Sequence, residues 1–345
     1  MAEFQDWFEE LYRQQAIEFE KKFQDKERTN ETSFSSYEKI KTLGKGAFGI
    51  VLLVKQNDQL FAAKLLKKDQ LIRSKLVPNA YMEKKLLMSL DNPFIVSMPD
   101  FYMDNSYLYF VMEFLIGGDL FSLLKTMKRF TEQMVRFYGA QVLMALEYLH
   151  YLNVLYRDLK PENLMITSDG YLKVIDMGFG KIVPRDKRAS TFCGTPDYMA
   201  PEIIMHKGYH KAVDYWALGV LLYELTCGYP PFTHRDQLKI FEKIISGKFK
   251  MNAMLSNDLK ELCKSLIVVD LTRRLGNLKR GALDIKDHSF FRELNWVDLY
   301  EKRIVSPYKP HLTSIDDTSN FEEIKEEKIK VAEKDVFEKE FAHFR

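Results

Sequence analysis

The sequence predicts an α+β fold of two unequal lobes, β-rich first and helical second. Three observations carry this. From Tyr37 the chain runs in short β-like stretches broken by a glycine loop and a Gln56-Asn57-Asp58 turn. After Gly117-Gly118 helical periodicity takes over, with long helix candidates over 131–152 and 212–227. The glycine pair divides a segment of about 80 residues from one of about 170. The boundaries read 1–36 for an N-terminal helix and linker, 37–290 for the folded domain (lobes 37–112 and 113–290), and 291–345 for a tail.

Each element has its own signal. Over 3–25, Phe4, Phe8, Leu11, Phe19 and Phe23 form one apolar stripe on a helix, which either packs on the rest of the chain or takes a partner. The stretch 26–36, KERTNETSFSS, is a polar linker. Pro78 opens the helix VPNAYMEKKLLMSL, with Leu86, Leu87 and Leu90 on its apolar side. The strand candidate YLYFVMEFL ends at the glycine pair, and 153–200 is a loop-and-strand region. The tail is irregular, with the run EEIKEEKIK and a terminal FAHFR.

Composition narrows the function. In 345 residues, 46% hydrophobic and 29% charged exclude a disordered or collagen-like chain. Lys and Arg number 51 against 49 Asp and Glu, a net charge of +2 that argues against a nucleic-acid or membrane partner held by bulk charge. Cys193, Cys227 and Cys263 form no C-x-x-C pair, so neither a zinc ribbon nor a disulfide scaffold is expected. The acidic N-terminus is no signal peptide, Ala2 breaks the myristoylation pattern, and no apolar run could span a bilayer. A soluble intracellular protein of the cytoplasm or nucleus is expected.

Three motifs carry chemistry. Gly44-Lys45-Gly46-Ala47-Phe48-Gly49 matches G-x-G-x-x-G but leads into a strand, Ile50–Val54, not a helix. It is either a hairpin tip that lies over phosphates or a turn without a ligand. Lys64, in the apolar strand Ala62-Ala63-Lys64-Leu65, needs a partner if buried, and Glu83 stands nineteen residues on; two surface charges would satisfy the spacing equally well. Tyr156-Arg157-Asp158-Leu159-Lys160-Pro161-Glu162-Asn163 followed by Asp176-Met177-Gly178 is the strongest signal. It offers a carboxylate to accept a hydroxyl proton, an amide and a second carboxylate for Mg²⁺, and a lysine to neutralise charge, which is what phosphoryl transfer requires.

In order and spacing these motifs, with Ala200-Pro201-Glu202, resemble the eukaryotic protein kinases. Thr191-Phe192-Cys193-Gly194-Thr195-Pro196-Asp197-Tyr198-Met199, the stretch HKGYHKAVDYWALGVLLYELTCGYPPF and the phenylalanines of the tail resemble the AGC group, in particular cyclic-AMP-dependent kinase catalytic subunits. The resemblance covers about 37–344 and implies a bilobal protein kinase fold. It implies ATP and Mg²⁺ as cofactors. Gly44, Gly46 and Gly49, with Lys45, Ala47 and Phe48, would cover the phosphates. Lys64 would bind them and pair with Glu83. Asp158 would be the base, Lys160 would reach the γ-phosphate, and Asn163 and Asp176 would hold the metals. Leu43, Val51, Ala62, Met112 and Leu164 would enclose adenine, beside backbone groups of Glu113 and Leu115 and the ring of Phe321. Asp119 and Glu162 would border the nucleotide. Glu202 would pair with Arg274, and Tyr156, Met177, Leu87 and Met98 would stack between the lobes.

The resemblance also implies a protein substrate with basic residues before the acceptor. Asp119, Glu162 and Glu224 would meet arginines two and three residues before a serine or threonine. Phe192, Pro196 and Met199 would shape an apolar pocket for the residue after it. For Glu224 a buried structural salt bridge is the other reading. Lys160 and Phe179 point to serine over tyrosine. Thr191 would be phosphorylated and met by Arg157 and Lys181. Ser190, after Lys187-Arg188-Ala189, resembles a substrate of the enzyme itself.

Several positions depart from the pattern. Met177 replaces a phenylalanine, which would keep the stacking and shift the balance between inactive and active states; Asp119 replaces a glutamate and Ile324 a tyrosine, which would relax selectivity for the distal arginine. Asn79 replaces a histidine that meets the activation-loop phosphate, and Ser190 replaces a docking tryptophan, so both weigh against binding a cyclic-AMP-binding regulatory subunit. Ala332 removes a tail phosphorylation site, while Phe341 and Phe344 keep the aromatic pair expected to dock beside the Glu83 helix. A catalytically dead scaffold and a dinucleotide-binding oxidoreductase are the competing readings. The presence of Lys64, Asp158, Asn163 and Asp176 opposes the first, and the strand after the glycine loop opposes the second.

Overall fold

The computed structural model describes residues 2–25, 34–326 and 328–344. Residues 26–33 of the expected linker, the Phe4 side chain and Arg345 lie outside the described residues.

Helix α1 (Ala2–Gln24) precedes strands β1 (Glu38–Lys45), β2 (Gly49–Gln56) and β3 (Gln59–Lys67), helices α2 (Lys68–Arg73) and α3 (Val77–Ser89), and strands β4 (Asp100–Met103) and β5 (Tyr107–Glu113). The strands form one antiparallel sheet in the order β1-β2-β3-β5-β4. Asn57 and Asp58 both take positive φ, 47° and 62°, which matches the right-handed twist of the strands they join. The sequence did not indicate α2; one turn and a half is too short to show a helical period, and Leu71 is its one buried apolar residue.

The helical lobe contains α4 (Leu120–Met127), α5 (Glu132–Tyr151), the short strands β6 (Val154–Leu155), β7 (Leu164–Ile166), β8 (Leu172–Val174) and β9 (Lys181–Ile182), then α6 (Pro201–Ile204), α7 (Ala212–Cys227), α8 (Gln237–Ser246), α9 (Asn257–Leu266), α10 (Ala282–Lys286) and α11 (Trp296–Tyr300). Thr131 caps α5 by accepting a hydrogen bond from the Met134 amide. Every residue of α7 is buried, as expected of a helix apolar on all sides. One apolar core runs through both lobes and contains Leu87, Met98, Tyr156 and Met177, the four residues expected to stack between them.

Both chain ends pack on this body. Phe8, Tyr12 and Phe19 of α1 are buried, so its apolar stripe is covered by the chain itself. In the tail Phe341 and Phe344 are buried, Lys84 of α3 donates to the Phe344 carbonyl at 2.7 Å, and the fully buried Lys68 pairs with Asp335 at 2.8 Å. Among the described residues no helix is long and apolar enough to cross a membrane.

Candidate active site

The β1–β2 hairpin tip is the glycine loop, closed by a hydrogen bond from the Gly46 amide to the Gly49 carbonyl at 2.9 Å. At Gly49 a Cβ would overlap the Leu65 carbonyl oxygen, so no other residue fits there. Behind the loop, β3 presents Lys64, whose ammonium lies 2.6 Å from Glu83 of α3 and 3.5 Å from Asp176. Burial pulls the Lys64 ammonium down, but Asp176 and Glu83 outweigh it and hold it well above its ordinary value. Burial raises the Glu83 carboxyl against the pull of Lys64. Asp176 is only half-buried; desolvation raises its carboxyl, yet Lys64 and the Gly178 amide outweigh this and keep it below the usual range. The surface-charge reading of Lys64 and Glu83 is therefore excluded.

Across the cleft, Asp158 accepts three hydrogen bonds on its carboxylate. Thr195 Oγ1 donates to Oδ1 at 2.8 Å, Lys160 Nζ to Oδ2 at 2.8 Å, and Asn163 Nδ2 to Oδ2 at 2.9 Å. Lys160 also donates to Thr195 at 3.1 Å. The backbone beneath is strained: Arg157 has φ +70°. Asp214 of α7 holds it there, accepting the Tyr156 and Arg157 amides at 3.1 and 2.8 Å.

Between these groups lie two cavities of about 280 and 330 Å³ that share Val51, Lys64 and Asp176. The first is lined by Leu43, Gly44, Ala62, Met112, Glu113, Leu115, Asp119, Glu162 and Phe321, which brings together residues that the sequence assigned to the nucleotide. The second lies under Gly46, Ala47, Phe48 and Gly49. Lys45 is exposed on the loop. One expectation is corrected. Leu164 is fully buried and does not line the cavity; Met165 does, because successive side chains of β7 point to opposite faces.

The oxygen donors fit a hard divalent cation. The amide nitrogen of Asn163 is committed to Asp158, which leaves its carbonyl oxygen as the free donor atom, and Asp176 supplies carboxylate oxygens.

Glu162 is exposed at the cleft mouth. Glu224 is buried and accepts from the Tyr198 hydroxyl, and no ion pair reaches it among the described residues, which removes the salt-bridge reading. Burial lifts its carboxyl to about 7 against the Tyr198 hydrogen bond, with Glu162 and Asp197 raising it further. Asp119 caps α4, accepting from the Ser122 amide and hydroxyl, both at 2.8 Å. Met199 is buried, Pro196 half-buried, and Phe192 exposed against His206.

Ser190 and Thr191 are exposed. The Thr191 carbonyl accepts from the Tyr209 hydroxyl at 2.7 Å, and Arg157 donates to that hydroxyl and to the Phe179 carbonyl. Glu202 and Arg274 form the expected bridge, bidentate at 2.6 and 3.0 Å and fully buried. Sequence reasoning missed Thr195, Asp214 and Tyr209 as functional groups. The available signal for Asp214 was that it is one of two carboxylates, with Glu224, in a helix that is otherwise mostly apolar; Thr195 and Tyr209 gave none beyond their place in longer motifs.

Residues 37–291 match the protein kinase domain. Among curated relatives, the chain is 44% identical over 310 residues to a cAMP-dependent protein kinase catalytic subunit 3 of Drosophila melanogaster, covering 89% of this chain and 53% of that one. It is 40% identical to a cAMP-dependent protein kinase type 3 of Saccharomyces cerevisiae (86% and 75%), and 39% identical to a catalytic subunit 2 of Drosophila melanogaster (88% and 87%). The chain spans about half the length of several relatives it matches (53%, 45% and 56%). The match extends over the glycine loop, the paired lysine and the Asp158 loop whose geometry is described above, and by this measure the chain belongs to the protein kinase family.

Proposed function

We propose that the chain is an ATP-dependent serine/threonine protein kinase of the cyclic-AMP-dependent type. The carrying observation is the placement of Asp158, bonded to Lys160 and Thr195, opposite Lys64 with its two carboxylate partners. The names of the relatives support the same reading.

In this reading the substrate hydroxyl approaches Asp158, which orients it and accepts its proton. Lys160 and Lys64 hold positive charge beside the transferred group and the nucleotide phosphates. Glu83 fixes the direction of Lys64. Bound at Asn163 and Asp176, Mg²⁺ would neutralise phosphate charge. Leu43, Val51, Ala62, Met165 and Phe321 offer an apolar slot for the base.

The acceptor is a serine or threonine preceded by arginine and followed by an apolar residue. Glu162 and Glu224 supply carboxylates for the nearer arginine, and Phe192, Pro196 and Met199 the apolar pocket. Phosphorylation at Thr191 raises activity, and Ser190 is modified by the enzyme itself. A cyclic-AMP-binding regulatory subunit is the partner class, with Asn79 and Ser190 weakening its hold. The site of action is the cytoplasm or nucleus. Phosphorylation of a peptide library with MgATP tests this reading: enrichment of arginine two residues before serine supports it, and absence of any labelled peptide rejects it. Mass spectrometry showing active enzyme unmodified at Ser190 rejects that modification.

A further inference from the structure

Helix α3 turns three side chains toward the segment 176–180. Asn79 Nδ2 donates to the Gly178 carbonyl at 3.2 Å. One turn on, Glu83 binds Lys64 at 2.6 Å, and its second oxygen lies 3.6 Å from where a Cβ on Gly178 would stand. Another turn on, Leu86 presses on Gly180, where a Cβ would come within 2.6 Å of Cδ1. Lys64 reaches Asp176 Oδ2 at 3.5 Å, and Asp176 Oδ1 accepts the Gly178 amide at 2.7 Å.

These contacts close a circuit: Asn79 to Gly178, Gly178 to Asp176, Asp176 to Lys64, Lys64 to Glu83, and back to Asn79 through one turn of helix. Asn79 and Glu83 are four apart, so both face the same way. The Asn79 link is neutral and needs no added charge. Thr191, exposed on its loop, contributes no side chain to the circuit. The neighbouring Phe179 carbonyl is held by Arg157 at 2.7 Å, so the segment is fixed from both lobes.

We propose that Asn79 is a positioning residue that holds α3 on the metal-binding segment, and so keeps Lys64 and Asp176 in register for the nucleotide, without phosphate on Thr191. This rests on the kinase reading. The group acts through Glu83, Lys64 and Asp176 and touches no substrate itself. It extends the role of α3 from carrying one ion-paired glutamate to carrying a hydrogen-bonded clamp.

The test uses the full chain treated with phosphatase so that Thr191 is unmodified. MgATP affinity is titrated for wild type, Asn79→Asp, which keeps the size but loses the N–H donor, and Asn79→Gln, which keeps the donor. Treated wild type is expected to bind within about twofold of its phosphorylated form, and Asn79→Asp about tenfold more weakly, consistent with losing one hydrogen bond and facing a carboxylate to a carbonyl. Asn79→Gln is expected to recover most of the loss. The peptide KM and melting temperature of Asn79→Asp should match wild type, which a merely structural role would not allow. Equal MgATP affinity of treated wild type and Asn79→Asp overturns the proposal, as does a tenfold loss on dephosphorylating wild type alone. If wild type binds no MgATP in either state, the kinase reading itself falls.

Discussion

The Tyr209 hydroxyl joins Arg157 to Thr191, accepting from the guanidinium at 3.0 Å and donating to the Thr191 backbone carbonyl at 2.7 Å. The loop that carries the phosphorylation candidate is thus tied to the residue next to Asp158. Tyr209→Phe should lower kcat several-fold and shrink the effect of Thr191→Ala. A double-mutant cycle on kcat should give a coupling of roughly 0.5–3 kcal/mol; additive effects would dismiss the link.

Thr195 bridges Asp158 and Lys160 with one hydroxyl. Thr195→Val keeps the shape and removes the bridge. It should lower kcat about tenfold, a part of what a positioned base contributes, and leave the KM for ATP within twofold. Steady-state kinetics in both substrates check this; an unchanged kcat contradicts it.

Glu224 has a carboxyl lifted to about 7, so it is only about half ionised at neutrality. The KM for an arginine-bearing peptide should fall as pH rises through about 7. Glu224→Gln should flatten that profile and weaken the peptide by roughly 2–5 kcal/mol, the loss from truncating one side of a buried charged pair. For the free protein the sign is opposite: the folded state holds a proton the unfolded one releases, so this group costs stability as pH rises from 4.5 to about 7. A pH-independent KM in wild type would remove Glu224 from the peptide site.

Arg274 is fully buried, bidentate to Glu202, bonded to the Val268 and Ala212 carbonyls and stacked 5.1 Å from Trp216. Arg274→Ala leaves the Glu202 carboxylate without its cation. Urea unfolding should show a loss of about 3–5 kcal/mol. A midpoint equal to wild type would mean that the lobe does not depend on the pair.

The architecture was legible where the pattern was strong. α5 and α7 were legible to within a residue, because apolar-rich stretches of twenty and sixteen positions are too long for a strand. The six-residue α2 had no such length. Linear motifs located Lys64, Glu83, Asp158, Asn163 and Asp176, since their chemistry demands those residue types. What they could not show was the second set of partners. Thr195 reaches Asp158 from 37 residues away, and Tyr209 meets Arg157 across 52. Such contacts depend on tertiary packing. Leu164 and Met165 show the remaining weakness: a one-residue slip along a strand exchanges the buried face for the cavity.

The most direct measurement is transfer of labelled γ-phosphate from MgATP to a peptide with two arginines, a spacer, a serine and an apolar residue, run with wild type and Asp158→Ala. The account predicts labelled serine with wild type, and loss of labelling with Asp158→Ala although that variant still binds MgATP. No labelling by wild type, or equal labelling by both, would contradict it.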